Sequence, residues 1–357
     1  MRIAYVIAWR GGRTTGPFHK MALQAATWTA LGHEVALFVC TDAAHEQDWQ
    51  SLPEARVVRV AGAGAAATAA ARYAVARAAR QWRPDVVYLR HGAWAPGLGQ
   101  LVAAVPTVLE VNGDERAVLR TRSRLRAAYA ALTRNRVLGR ARGAVFVTRE
   151  LAASPAFAGY GFARLVVGNG IDLAAHEPAP AATGGPRLLL VGHPRSPWHG
   201  VDKLVGVAER HPDWQIDVVG PTADDLGAPA PENLRLHPEG PPSSYLPLLL
   251  GADIGLGTLA MHRIDAAENS ALKVREYLAR GLAVVSGGPD PDVPDGVDWY
   301  LELPNTEDNL ETGDAELSAF VARWTGRRVP RAAVAHLDAR AKEQERLAFL
   351  ASVMMGP

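Results

Sequence analysis

Disulfides are excluded within this chain, because Cys40 is its single cysteine. A reducing compartment, the cytoplasm, is the simple expectation. Long apolar runs are missing too. No stretch reaches the roughly 18 residues that a membrane-crossing helix needs. The opening run Ile3 to Ala8 is too short for the core of a signal peptide and leads into Arg10-Gly-Gly-Arg13. Nor is there an excess of one charge. Lys and Arg number 38 against 37 Asp and Glu, so no global field draws the chain to nucleic acid, and no nucleic-acid partner is expected. What is present suffices for ordinary packing: 48% of residues are hydrophobic and 21% charged. The length, 357 residues, exceeds the roughly 250–300 at which single cores stop growing, so two domains are expected.

Short β-branched runs alternate with longer helical stretches. Ile3–Trp9, Glu34–Cys40, Val57–Ala61, Asp85–Arg90, Thr107–Asn112, Ala144–Thr148 and Leu165–Gly168 read as one strand set. A Pro/Ala/Gly stretch, Glu177 to Pro186, follows. The pattern then restarts with Arg187–Val191, Gln215–Val219, Leu234–His237, Ile254–Gly257 and Ala283–Ser286. Repeated strand–helix alternation predicts an α/β protein of two doubly wound parallel-sheet, Rossmann-like domains. The boundaries expected are 1–168, 169–335 and a C-terminal helix, 336–357, returning to the first domain. Ligands of such sheets bind at the carboxyl ends of the strands, so the expected site is the cleft between the domains.

The richest segment is Glu268-Asn-Ser-Ala-Leu-Lys273-Val-Arg-Glu276-Tyr-Leu-Ala-Arg-Gly281. Two carboxylates stand eight residues apart at a predicted loop-to-helix junction. Eight residues of helix rise about 12 Å, close to the span from a donor sugar to its nucleotide's ribose. Amides near Asn269, Ser270 and Ala271 would open the helix and could receive a diphosphate, with Lys273 adding positive charge one turn in. On spacing alone, a surface helix with a Glu276–Arg280 pair at i,i+4 is the commoner reading, because two glutamates eight apart are common.

This segment resembles the Glu-x7-Glu motif of retaining glycosyltransferases of family four, and other segments resemble that family in the same order. Gly168-Asn-Gly-Ile-Asp172 opens the second domain. Leu188-Leu-Leu-Val-Gly192 with Pro197-Trp-His-Gly-Val-Asp202 looks like its first strand and phosphate loop. Gly11-Gly12, Leu31-Gly-His33 and Pro84-Asp-Val-Val-Tyr88 look like the family's first half. The resemblance implies a GT-B fold, with the nucleotide-sugar donor on the second domain and a small-molecule or glycan acceptor on the first. It implies a glycosyltransferase, hexosyltransferase-like and metal-independent, that uses no cofactor beyond its co-substrate. Glu268 would hold the donor sugar and Glu276 the ribose. Lys273, Arg195, His199 and the amides at Ser270 and Ala271 would stabilise the leaving diphosphate. Where the family has Arg and Lys after the Gly192-like glycine, this chain has His193 and His199. Either is a neutral loop histidine, or it holds phosphate and must be protonated. Lys203 is a nearby substitute, and Gly12 could let backbone approach a phosphate. The histidine usual after the fifth strand is replaced by Asn112, itself a candidate at the acceptor, and His91 is either a second candidate there and among the catalytic groups or a plain loop histidine.

Other readings compete. A GT-B nucleotide-sugar epimerase and a non-catalytic nucleotide-sugar binder share the donor chemistry. A dinucleotide-dependent oxidoreductase needs Gly-x-Gly-x-x-Gly, which Gly11-Gly-Arg-Thr-Thr-Gly16 fails. No metal site is expected: no Asp-x-Asp closes a strand, and Asp290-Pro-Asp292 reads as a solvated turn. Finally, nine arginines from Arg116 to Arg142 face only Asp114 and Glu115. They could meet an anionic membrane as a peripheral contact at its inner face, grip a phosphorylated acceptor, or form a solvated helical face.

Overall fold

A computed structural model of the protein describes residues 1–62, 64–114 and 124–355, without the side chains at 124 and 126. The chain forms two units, Met1–Val167 with Arg340–Pro357 and Gly168–Ala339.

The first unit is built on seven parallel strands: β1 (Arg2–Ala8), β2 (Glu34–Thr41), β3 (Ala55–Arg59), β4 (Val86–Arg90), β5 (Thr107–Val111), β6 (Gly143–Phe146) and β7 (Ala163–Val166). Their order is β3-β2-β1-β4-β5-β6-β7. The apolar runs are continuous because both faces are covered. In β1, Ala4 and Val6 enter one core and Ile3, Tyr5 and Ile7 the other. The helix Ala65–Gln81 covers the first face through Ala71, Val75 and Ala79. The helix Gly16–Ala30 covers the second through Phe18, Met21 and Trp28. The helix Ala339–Met355 joins that second face through Leu347, Leu350 and Val353. It lies so close to β6 that a Cβ on Gly143 would sit 3.0 Å from the Phe349 ring.

The second unit has six parallel strands: β8 (Arg187–Val191), β9 (Gln215–Gly220), β10 (Leu234–Pro238), β11 (Ile254–Leu256), β12 (Ala283–Ser286) and β13 (Tyr300–Glu302). Their order is β10-β9-β8-β11-β12-β13. The three-residue β13 carries no apolar run of its own and has no counterpart in the strands expected from the sequence. In both sheets the order turns about the first strand of the set, between β1 and β4 and between β8 and β11. Such switch points are where open parallel sheets receive ligands. Among the described residues, no helix is long and apolar enough to cross a membrane.

Candidate functional site

In the second unit, the helix Leu272–Ala279 starts beside the switch point, capped by Ala271 in extended conformation. Tyr277 docks it on the sheet. The Tyr277 hydroxyl accepts from the Val191 amide at 2.8 Å, and its ring covers Gly255, where a Cβ would meet it at 2.2 Å. The expected span of eight helical residues is therefore corrected. Glu268 to Ala271 are not helical, so only the second half of the motif rises as a helix. Glu276 lies on the helix and accepts a hydrogen bond from the Tyr245 hydroxyl at 3.0 Å. The i,i+4 pair with Arg280 is not what forms, since Arg280 Nη1 donates to the Glu177 carbonyl at 3.0 Å.

The loop before the helix is held by a residue the sequence reading passed over. Arg275 is fully buried. Its Nη1 and Nη2 each donate to Asp290 at 2.7 Å, Nη2 also to Asp292 and to Ser270 Oγ at 2.9 Å, and Nε to the Asn169 carbonyl at 2.6 Å. Asp290-Pro-Asp292 is thus no solvated turn but a carboxylate clamp. Ser270 Oγ also accepts from the Asn169 amide at 2.8 Å. Gly168 is required here: a Cβ would fall 1.9 Å from Asp292 Oδ2. Two of the three amides expected to greet a diphosphate are revised accordingly. The Asn269 amide donates to the Pro289 carbonyl at 3.1 Å, and Ser270 is buried inside the clamp. The amides of Leu272 and Lys273 precede the first intrahelical bonds, which Val274 and Arg275 make to the Ala271 carbonyl at 3.1 and 3.3 Å.

One turn into this helix, Lys273 Nζ stands 3.3 Å from His199 Nδ1. Burial pushes the Lys273 ammonium down to about 7. Burial, and then Lys273, push His199 to about 2. His199 packs on Gly192, where a Cβ would lie 2.7 Å from its ring. Of the two readings of His199, this burial favours the neutral ring. If the Lys273 ammonium donates to Nδ1, the tautomer assigned to the neutral ring carries its hydrogen on Nε2. That buried Nε2 has no partner among the described residues. His193 is exposed, with Nδ1 2.7 Å from Glu239 Oε1. Arg195 is exposed in a left-handed conformation (φ 57°), its amide held by Asp225 at 2.7 Å. Lys203 is already occupied: its Nζ donates to the carbonyls of Leu259 and Thr306 and to Asn309 Oδ1 at 3.1, 2.8 and 3.1 Å.

In the first unit, Gly12 backs onto a carboxylate, since a Cβ would lie 1.8 Å from Asp48 Oδ2. That closeness explains the glycine without a phosphate. His91 follows β4, its amide bound to the Glu110 carbonyl at 2.9 Å and its ring edge-on to Phe157 at 5.8 Å. Asn112 Oδ1 accepts from Lys20 Nζ at 2.6 Å. Lys20 also pairs with buried Glu110 at 2.7 Å, and Glu110 takes Tyr5 Oη at 2.7 Å and Arg90 at 3.1 Å. Burial opposes the Glu110 charge, but Lys20 and Arg90 overrule it and hold the carboxyl well below its usual range. The sequence offered no hint of this network, because its members are scattered over 105 residues. Of the arginine-rich stretch, Arg116, Arg120 and Arg122 lie outside the described residues, as do the side chains of Arg124 and Arg126. Arg134 turns inward, buried 5.3 Å over Phe157, and so leaves the solvated face, whereas Arg136 stays exposed with its guanidinium 4.8 Å over Trp94.

Comparison with known proteins follows the same lines. Residues 22–175 match the family model described as Glycosyltransferase Family 4, a stretch that ends before Glu268. No curated protein matches the chain by sequence. The structure is similar to sucrose-phosphate synthase from Thermosynechococcus elongatus, with TM-score 0.66 and 13% identity over 99% of this chain and 96% of that one. It is similar to a glycosyltransferase from Rickettsia africae, with TM-score 0.66 and 12% identity over 100% and 99%. It is also similar to Anabaena HepE, solved with UDP and glucose, with TM-score 0.63 and 17% identity over 98% and 99%. The likeness and the two parallel sheets establish the GT-B fold expected from the sequence.

Proposed function

We propose that the protein is a retaining glycosyltransferase that moves a sugar from a nucleotide-diphosphate sugar, bound on the second unit, to an acceptor bound on the first. The observation that carries this reading is the buried Nε2 of His199, unpartnered and set against Lys273 at the opening of the helix that bears Glu276. A buried donor without an acceptor costs about 1–3 kcal/mol, and an oxyanion removes that cost. The family match over residues 22–175 and the UDP and glucose of the Anabaena structure support the same chemistry.

In this reading Lys273 and His199 Nε2–H meet the diphosphate. Charge grows there as the bond to the anomeric carbon breaks, and preorganised donors are usually the largest catalytic contribution. Glu276, steadied by Tyr245, receives the ribose hydroxyls, and Glu268 those of the donor sugar. The acceptor oxygen attacks the face the diphosphate leaves, and the departing phosphate takes its proton. Asp290 and Asp292 are committed to Arg275, so neutralisation falls to the cationic and amide donors rather than to a metal. A thermal-shift panel of UDP-, GDP-, ADP- and dTDP-sugars and NAD(H) tests the donor class, since a ligand of the native state raises the melting temperature by mass action. At least one nucleotide sugar should raise it and NAD(H) should not. A response to NAD(H) alone would reject the reading. Product anomeric configuration by NMR tests retention.

A further inference from the structure

At the switch point of the first unit the chain leaves β1 through Trp9 and Arg10, and leaves β4 toward Ala93 and Trp94. Two guanidiniums from different elements meet here without an acid. Arg72, on the helix Ala65–Gln81, donates Nη1 to the Ala93 carbonyl at 3.2 Å, and its buried Nε has no partner. The charged and titratable groups around it are Arg10, the Cys40 thiol at the end of β2 and the Tyr129 hydroxyl. Burial pushes the Arg72 guanidinium below its ordinary value, and Arg10 adds to that push against Cys40 and Tyr129. Arg10 gives Nη2 to a neutral acceptor, Thr68 Oγ1, at 2.9 Å. Along the same edge, by contrast, Lys20 and Arg90 share the buried carboxylate of Glu110. Among the described residues, no carboxylate pairs with Arg10 or Arg72.

A partly buried cation beside a second cation is unfavourable until an anion arrives, and such uncompensated groups in a ligand-receiving position mark binding sites. The guanidinium fork matches phosphoryl and carboxyl oxygens. Next to it stands an aromatic wall. Trp94 lies 6.3 Å from Tyr129, and Tyr129 and Tyr73 are 45% and 42% exposed, open to a ligand's ring or chain.

We propose that this edge is an oxyanion subsite for the acceptor. Arg10 and Arg72 hold a phosphoryl or carboxyl group, and the ring or chain that carries it lies on Trp94, Tyr129 and Tyr73. The inference rests on reading the first unit as the acceptor side, and it makes the acceptor anionic.

The test is calorimetric titration of the full chain with phenyl phosphate, repeated with saturating UDP, for wild type, Arg72→Met and Arg72→Lys. Phenyl phosphate should bind alongside UDP. Its affinity should fall by about tenfold or more in Arg72→Met and by roughly threefold or less in Arg72→Lys, with UDP affinity unchanged. Phenol should bind far more weakly than phenyl phosphate. Arg72→Lys, with its melting temperature checked, guards against a variant that merely fails to fold. Sedimentation with phosphatidic acid vesicles separates the sources. Sedimentation that depends on Arg72 puts the oxyanion on a lipid headgroup, and its absence beside Arg72-dependent phenyl phosphate binding puts it on a soluble acceptor. Unchanged phenyl phosphate affinity in Arg72→Met, displacement by UDP, or no binding to wild type overturns the inference. Failure of UDP to bind counts against the donor site alone and leaves the Arg72 comparison readable.

Discussion

In the proposed reading Lys273 takes the charge at the diphosphate that the sequence left open for His193 and His199. The ammonium is the group that titrates near neutrality, at about 7, while the imidazole stays neutral down to about 2. A bound diphosphate favours the charged ammonium and raises its pKa. Donor affinity should therefore fall as pH climbs above 7, by about thirtyfold between pH 6 and 8.5 if one proton is taken up on binding. Lys273→Arg should flatten the curve, since a guanidinium stays charged throughout. Donor affinity by calorimetry across that range checks both. The unliganded protein should show the opposite trend. A lysine whose folded pKa lies below its unfolded value binds fewer protons when folded, so its contribution to stability rises with pH from about 7 toward 10.5. Lys20, held at about 8, adds the same sign above that pH. Glu276 has a separate test at this scale. Glu276→Ala should weaken donor binding by about 1.5–3 kcal/mol, a hydrogen bond to a charged group, while moving the melting temperature much less. An unchanged donor dissociation constant would remove Glu276 from the ribose.

At the scale of the element, the helix Leu272–Ala279 is fixed less by its own propensity than by what it buries. Arg275 ties its first turn to Asn169, Ser270, Asp290 and Asp292, and Tyr277 ties its middle to β8. Removing one partner of a buried ion pair leaves the other charge stranded, at about 3–5 kcal/mol. Arg275→Met should therefore lower stability by about that much and loosen nucleotide binding with it, read by denaturant melts and calorimetry. Because the clamp occupies the acidic pair, turnover should also survive excess EDTA. Activity lost in chelator and restored by magnesium or manganese would contradict this. Here the limits of the sequence become physical. Strands were legible because continuous apolar runs report burial on both faces, and twelve of them stand close to where they were expected. The motif helix was legible from Glu268, Lys273 and Glu276. The clamp was not, because Asp290-Pro-Asp292 has the composition of a turn and only tertiary packing shows that Arg275 points into it. For the same reason Lys203 looked available on paper and is occupied in the fold.

For the whole molecule, the order of the chain and the order of its cores differ. The last helix follows the second unit in sequence yet completes the core of the first. Leu347, Leu350 and Val353 are buried against strands of the first sheet. Glu343 accepts from Trp28 Nε1 at 2.7 Å and from Gln24 at 3.4 Å, pairs with Arg346, and Arg346 donates to the Val167 carbonyl at 3.1 Å. Ending the chain after Ala339 would remove three aliphatic side chains from that core, and the burial of each is worth about 1.5–3 kcal/mol. It would also strand the Trp28 and Gln24 donors at about 1–3 kcal/mol apiece. Together these rival the roughly 5–15 kcal/mol by which a domain is stable. The second unit keeps its core, since that cluster draws on residues 188–337 alone. The truncated chain should therefore keep one cooperative melting transition, that of Gly168–Ala339, and lose the other. Limited proteolysis should degrade the first unit and leave a protected fragment that begins near Gly168. Two intact transitions in the truncated chain would mean that the helix Ala339–Met355 merely covers the first unit's core instead of completing it.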